Sequence, residues 1–277
     1  MKKHGSTIIL VLILLIGLSL ILYPSFADYW NSFTQSYAVT DYIKNVAVLD
    51  EAKYEAIWQA AADYNTRLKE RASQYALESV LKLEYHTLLD VGGTGIMGYI
   101  SIPDIDVNLP IHHGTEDTVL QVAIGHLEWT SLPVGGESTH CVVSGHRGLP
   151  SARLFTDLDD LEVGSVFMLN VLDEVLTYQV DQIKIVLPHE TDDLLIVEGE
   201  DYCTLVTCTP YGVNSHRMLV RGTRIDNIEE ARVVRVTADA VRIEPIIVAP
   251  LLAIPVLLVL FIALLIPKPK KNRRKES

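Results

Sequence analysis

The sequence predicts a mainly β domain, either a closed barrel or a sandwich, with a helical leader before it and an apolar segment at each end of the chain. The first observation is alternation: after Met97, apolar and polar residues alternate in short runs such as 105–111. The second is the spacing of turn signals, because glycines and prolines separate these runs. Many short strands with little helix are typical of closed or two-layered β folds. One brief helix is predicted over residues 151–161, with four apolar residues on one face: Leu154, Phe155, Leu158 and Leu161.

The two apolar ends predict membrane segments. Residues 7–23 are almost entirely apolar and follow Lys2 and Lys3, which favours an uncleaved anchor over a cleaved signal peptide. Residues 246–266 carry no charge and precede a basic tail, the flank expected on the cytoplasmic side of a membrane segment. Both termini are therefore expected on the cytoplasmic side of the cell membrane, and the middle of the chain is expected on its extracellular face.

The leader is predicted to be helical because apolar residues recur at three-to-four spacing from Asp41 to Leu89 without a glycine or proline. The glycines at positions 92, 93 and 95 then end the pattern. The predicted organisation is a cytoplasmic N-terminus (1–6), a transmembrane anchor or signal-like segment (7–23), a helical leader and linker (24–95), the β domain (96–242), a transmembrane helix (246–266) and a basic cytoplasmic tail (267–277).

The charge of the middle part excludes one class of partner. Residues 24–242 contain 15 basic and 33 acidic residues, a net charge of −18. Because attraction to phosphates supplies most nucleic-acid affinity, so acidic a domain is a poor candidate for binding nucleic acid. No residue pattern requires a metal or an organic cofactor, so none is predicted.

The chain has three cysteines, and an odd number leaves at least one thiol free. Cys208 is the candidate nucleophile because it ends the strand-like run of residues 204–207, and a turn begins after it. Arg217 opens the next apolar run, so two adjacent antiparallel strands would bring it close to Cys208, although their separation leaves the register open. Cys203 is expected on the opposite strand face, and Cys141 is expected to be a buried apolar side chain.

A thiol nucleophile needs a base or an ion-pair partner. His146 is the best candidate, because it follows the apolar run 141–143 and would lie at a strand end on the same rim as Cys208. The competing histidines have other interpretations. His216 would face away from Cys208, His126 is expected to be structural, and His112 with His113 is interpreted as a solvated pair.

The same residues resemble a known family. The run TLVTCTPYGVNSHRMLVRG is similar to the active-site segment of sortases, whose signature is Thr-Leu-x-Thr-Cys with an arginine nearby. Three further runs, VVSGHRGLPSARLFTDL, GYISIPDIDVNLPIHHGT and GHLEWTSLPVGG, are similar to the class C, pilus-assembling subgroup. The resemblance covers residues 98–224, and two membrane segments around an external domain agree with that subgroup.

The resemblance implies an eight-stranded closed barrel and a membrane-anchored cysteine transpeptidase of Gram-positive surfaces. Cys208 would attack a Leu-Pro-x-Thr-Gly-like sorting signal and hold the pilin as a thioester, which a lysine amine of the next pilin would resolve. His146 would act as general acid and then as base, and Arg217 would stabilise the oxyanion. The implied partners are pilin subunits and the membrane.

One segment departs from the class C pattern. Members of that class commonly carry a lid with an Asp-Pro-aromatic motif before the barrel, and residues 72–90 contain no proline. Either the lid is absent, or Glu78 or Tyr75 occupies its place. The departure predicts a more open active site.

Two alternatives to pilin polymerisation remain open. A sortase with the same residues would attach surface proteins to the cell wall, using an amine of a peptidoglycan precursor. A protein of another class would be a non-catalytic, membrane-anchored binding module in which Cys208 is an inert buried thiol.

Overall fold

The computed structural model describes residues 5–71, 73–75 and 79–227. The predicted transmembrane helix 246–266, the tail 267–277 and the last part of the predicted β domain lie outside these residues. Within them, alternating apolar residues form eight strands, which are β1 (Ile96–Ile102), β2 (Val107–His113), β3 (Ile124–His126), β4 (Thr139–Ser144), β5 (Val166–Val171), β6 (Glu174–Val186), β7 (Asp201–Thr209) and β8 (His216–Arg224).

The strands close into a barrel in the order β1-β2-β3-β4-β7-β8-β6-β5. Two pairs are parallel, β2 with β3 and β4 with β7, and the others are antiparallel. Closure removes the unpaired edges that an open sheet would expose. The chain therefore has the mainly β, closed eight-stranded barrel that the sortase resemblance implies, and the sandwich alternative is excluded.

In the part of the chain that the structure describes, four α-helices accompany the barrel. They are α1 (Gly5–Ala47), α2 (Glu51–Lys69), α3 (Ser79–Tyr85) and the short α4 (Asp117–Leu120). Helix α1 continues past residue 23, so the predicted anchor and the start of the predicted leader belong to one helix. The part before Phe26 forms a unit of its own, with its described apolar side chains mostly exposed.

In the second unit, which begins at Phe26, the leader packs against the barrel through buried polar side chains. Tyr42 of α1 donates to the backbone oxygen of Met97 at 2.9 Å and accepts from the backbone nitrogen of Leu172 at 2.7 Å. On α2, the amide of Asn65 makes two hydrogen bonds to the backbone of Leu132, at 3.0 and 2.7 Å. These contacts satisfy strand and loop backbone groups that packing against the leader would otherwise leave unpaired.

The helix predicted over residues 151–161 is wrong. This segment consists of turns and one short 3₁₀ stretch, Leu158–Asp160. Leu154 has a positive φ of 40°, which is incompatible with a regular right-handed helix. The apolar residues that suggested a helical face are nevertheless all buried, because the loop inserts them into the barrel core.

Candidate active site

The pairing of β7 with β8 fixes the position of the candidate nucleophile. Cys208 lies directly opposite Arg217 in the antiparallel register, so their side chains project from the same face of the sheet. Both side chains are half-buried. The Nη1 atom of Arg217 donates to the backbone oxygens of His216 at 3.1 Å and of Asn214 at 3.3 Å. The guanidinium is thus held at the start of β8, and the residue that carries it is paired with Cys208.

The parallel pairing of β4 with β7 brings in the candidate base. Ser144 pairs with Val206, and the ladder continues because Gly145 donates its backbone N–H to Val206 at 3.0 Å. Cys208 lies two residues beyond Val206 on β7, and because side chains alternate along a strand it projects from the same face as Val206. His146 lies two residues beyond Ser144, in the loop that follows β4, and continuing the parallel register by two residues would bring it level with Cys208.

A side-chain hydrogen bond secures this alignment. Thr207, which is 1% exposed and directly precedes Cys208, donates its hydroxyl to the backbone oxygen of Gly145 at 2.8 Å. The residue before the candidate nucleophile therefore binds the residue before the candidate base. Sequence reasoning missed this role, because nothing in the sequence alone shows which carbonyl accepts from Thr207.

Next to Cys208 and Arg217, the same face of the sheet carries a group of apolar residues, called here the apolar floor. Val206 and Leu219 pair with each other two residues along from Cys208 and Arg217, and therefore on the same face. They belong to a small buried cluster that is separate from the main barrel core, consisting of Val142, Leu194, Val206 and Leu219, with Leu127, Trp129 and Val186 packed against it. This outer-face floor was not identified from the sequence, although the two-residue spacing of Val206 and Cys208 is its signal.

The segment before the barrel touches this floor. The ring of Tyr75 lies 5.0 Å from that of Trp129, and its hydroxyl accepts a hydrogen bond from Thr191 at 3.2 Å. Gln74 accepts from the backbone nitrogen of Ile196 at 3.0 Å. Tyr75, one of the two residues suggested for the lid position, therefore packs beside the floor, whereas Glu78 lies outside the described residues. The more open active site stays a prediction.

The remaining histidines are held elsewhere. His216 pairs with Thr209 and its Nδ1 lies 2.9 Å from Ser215 Oγ. His126 is fully buried, as expected for a structural residue, and its Nε2 lies 2.8 Å from the backbone oxygen of Ser131.

The interpretation of His112 and His113 as a solvated pair is wrong. His113 is only 7% exposed, and its ring nitrogens lie 3.0 and 2.8 Å from the backbone oxygens of Gly95 and Leu88. Burial lowers the pKa of both histidines. Both histidines belong to β2, and other parts of the chain pack against the end of that strand and shield them from solvent.

Strand alternation also separates the three thiols, all of which are free. Cys141 and Cys203 face each other across β4 and β7 inside the barrel, and both are buried. Burial raises the pKa of the Cys203 thiol. Cys208, five residues along the same strand, is half-buried on the outer face. The predicted placement of all three cysteines is confirmed.

Within the described ranges, no group of three or more histidine, cysteine, aspartate or glutamate side chains is arranged to hold a metal ion. Cys208, Arg217 and His146 have the side chains needed for nucleophilic catalysis. A thiol and a guanidinium on paired strands, with an imidazole in the loop after the neighbouring strand, are groups that acyl transfer through a thioester uses.

Comparison with known proteins agrees with this geometry. The Sortase domain family model matches residues 100–225. The crystal structure of sortase C1 from Streptococcus agalactiae is 53% identical, with a TM-score of 0.68, and the match covers 69% of this chain and 100% of that chain. Streptococcus pneumoniae sortase C is 43% identical, with a TM-score of 0.61, and the match covers 69% of this chain and 97% of that one.

A third structure, Clostridium perfringens sortase C with the C-terminal cell wall sorting motif, is 40% identical, with a TM-score of 0.61. That match covers 69% of this chain and 99% of the clostridial chain. Three class C enzymes thus match over nearly their whole length at 40% identity or more. With its closed barrel and its sortase-like Thr-Leu-x-Thr-Cys run, this chain belongs to the sortase family of cysteine transpeptidases, and within it to class C.

Proposed function

We propose that this protein is a membrane-anchored transpeptidase on the extracellular face of the cell membrane that polymerises pilins through Cys208, His146 and Arg217. The observation that carries the proposal is the direct pairing of Cys208 with Arg217. The parallel register of β4 with β7, continued two residues beyond Ser144, would also bring His146 level with Cys208, beside an apolar floor.

The chemistry has two acyl-transfer steps. The Cys208 thiolate attacks the threonine carbonyl of a Leu-Pro-x-Thr-Gly-like signal, and the charge that develops on that oxygen is stabilised by the Arg217 guanidinium. His146 protonates the departing glycine amine, leaving a thioester on Cys208. A lysine amine of the next pilin then loses a proton to His146 and attacks the thioester, which releases the thiol and forms an isopeptide bond.

The apolar floor provides a place for the leucine and proline of the signal. Val206 and Leu219 lie two pairs along from Cys208 and Arg217, on the same face, so an extended peptide with its threonine at the thiol would pass over them. Burying apolar side chains there would stabilise the complex by about 25 cal/mol per Å² of apolar surface removed from water. The structure of Clostridium perfringens sortase C with the C-terminal cell wall sorting motif supports this substrate class.

Helix α1 supports membrane anchoring. Its stretch from Ile9 to Ala47 is long and apolar enough to cross a membrane, judged by length and composition, and its most apolar window has a mean hydropathy of 2.6. Exposed aromatic side chains follow the apolar part, at Phe26, Tyr29, Trp30, Phe33 and Tyr37. Such residues are enriched where a helix crosses the membrane interface, and Lys2 and Lys3 favour an inside N-terminus.

A pilin as the partner rests on the class C relationship. The Streptococcus pneumoniae enzyme, 43% identical to this chain, is described in terms of pilin substrate specificity. The acidic middle of the chain, with a net charge of −18 over residues 24–242, would also attract a lysine-bearing partner.

The test is mass spectrometry of the full chain in detergent, incubated with a Leu-Pro-x-Thr-Gly peptide and then with a lysine-bearing pilin domain. We expect an acyl adduct on Cys208 that the pilin lysine discharges, and no adduct in Cys208→Ala. Matched controls share the strand β8. Arg217→Gln should abolish acylation, and Arg221→Gln, which removes an ion pair with Asp181 and a cation–π contact with Tyr202, should not.

Two outcomes would contradict the proposal. Discharge of the adduct by a peptidoglycan-type amine and not by the pilin lysine would point to cell-wall attachment. An unreactive Cys208 in the folded chain would point to a non-catalytic binding module.

A further inference from the structure

The loop that carries His146 is closed on itself. This histidine loop, residues 145–156, follows β4 and returns so that Phe155 donates its backbone N–H to the carbonyl of His146 at 3.2 Å. Gly148 donates its backbone N–H to Thr156 Oγ1 at 3.1 Å, and Leu149 forms a β-bridge with Ala152. The backbone of His146 is therefore fixed by the returning arm, and a displacement of the loop tip is transmitted to it.

Helix α1 holds the tip of this loop through two side chains. Asp28 Oδ1 accepts from the backbone nitrogen of Arg153 at 2.8 Å. One turn further along, the amide nitrogen of Asn31 donates to the backbone oxygen of Ser151 at 2.8 Å. These hydrogen bonds join residues that are more than a hundred positions apart, and both bind backbone atoms of the loop.

Apolar packing does not hold this part of α1. The neighbouring Trp30 and Phe33 are exposed, and the helix enters the buried core only from Val39 onward. A cavity of about 370 Å³ lies between the helix and the barrel, with Asn31 and Gln35 among its lining residues. Where packing is this loose, the hydrogen bonds to the loop set how the helix and the loop are aligned.

We propose that Asp28 and Asn31 are positioning residues that hold His146 level with Cys208 through the tip of the histidine loop. The inference rests on the proposed role of His146 in proton transfer. If Asp28 and Asn31 have this role, helix α1 supports the active site as well as being a candidate membrane anchor. Neither residue contacts the thiol, so their effect is confined to steps in which the imidazole must be correctly placed.

The test compares variants of the full chain in detergent. Asp28→Ala with Asn31→Ala removes both contacts, and we expect kcat for peptide-to-amine transfer to fall on the order of tenfold while KM changes less than about twofold. Gln35→Ala is the matched control, because Gln35 lies on the same helix, lines the same cavity and binds Val122, outside the histidine loop, at 2.7 Å. Its kcat should stay within about twofold of the parent enzyme.

Two single substitutions keep the test valid if the double variant folds poorly. Asp28→Asn retains an oxygen acceptor for Arg153 and should preserve kcat. Asn31→Asp keeps the size of the side chain but cannot donate to the Ser151 carbonyl, so it should lower kcat.

The outcomes separate the two proposals. His146→Ala is measured in parallel, and unchanged turnover in that variant would refute the role of His146 itself. If His146→Ala abolishes turnover but the double variant keeps its kcat, or Gln35→Ala loses as much as the double variant, the positioning role of Asp28 and Asn31 is refuted.

Discussion

Thr207→Val tests whether the hydrogen bond between the two catalytic strands aligns the site. The substitution keeps the shape of the side chain but removes the hydroxyl that donates to the Gly145 carbonyl at 2.8 Å. Both residues are buried, so the carbonyl would lose its partner away from water. An unsatisfied buried polar group costs about 1–3 kcal/mol. Each kcal/mol lowers the melting temperature by about 2–4 °C in a protein of this size.

The control is Thr207→Ser, which keeps the hydroxyl and loses one buried methyl group, at a cost of about 1 kcal/mol. Both variants should therefore lose some stability, and only Thr207→Val should also lose activity. Urea unfolding measures the free energy of unfolding, and acylation of Cys208 by a sorting-signal peptide measures the function. We expect Thr207→Val to slow acylation by about tenfold or more, because misplaced catalytic groups are costly, and Thr207→Ser to retain it. Equal acylation rates in the two variants would refute the reasoning.

Two further predictions concern buried and exposed side chains. His140 donates to the Leu195 carbonyl at 2.9 Å and accepts from Thr204 at 2.7 Å, and burial lowers its pKa to about 4. The unfolded chain therefore binds more protons, so stability is lost as pH falls from about 6.5 to about 4, by about 3 kcal/mol. Urea unfolding of His140→Asn should show a smaller loss over that range, and an unchanged pH slope would contradict the assignment. Because residues 72–90 lack the Asp-Pro-aromatic motif, iodoacetamide should alkylate Cys208 in the resting enzyme, which mass spectrometry detects; strong protection would count against an open site.

The strands and most of the candidate site could be predicted from the sequence, because both depend on local alternation of apolar and polar residues. The period of two placed Cys203 and Cys208 on opposite faces of one strand, and the turn after Cys208 placed it at a rim. The exact register of Cys208 with Arg217 was not predictable, since several loop geometries connect strands separated by so few residues. The structure selects the one in which they are directly opposed.

Other features depend on contacts between distant segments. The alignment of His146 with Cys208 requires parallel pairing of β4 and β7, which are separated by two intervening strands in sequence. The error over residues 151–161 has a similar cause. Its apolar residues have helical spacing and are all buried, but turns and a 3₁₀ stretch carry them into the core, and the positive φ of Leu154 is incompatible with a regular helix. The hydrogen bonds of Asp28 and Asn31 with this loop could not be predicted, because no local sequence pattern indicates them.

Strand β7 shows how one element sets the reactivity of two thiols. Cys203 points into the barrel, where burial raises its pKa and keeps it in the unreactive thiol form, opposite another buried cysteine. Cys208 lies five residues later, an odd step, and therefore faces outward beside Arg217 and the apolar floor. A one-residue slip of β7 would exchange the two faces and bury the nucleophile. The hydrogen bond from Thr207 to Gly145 is formed only in the observed register, so the residue that aligns His146 with Cys208 also opposes that slip.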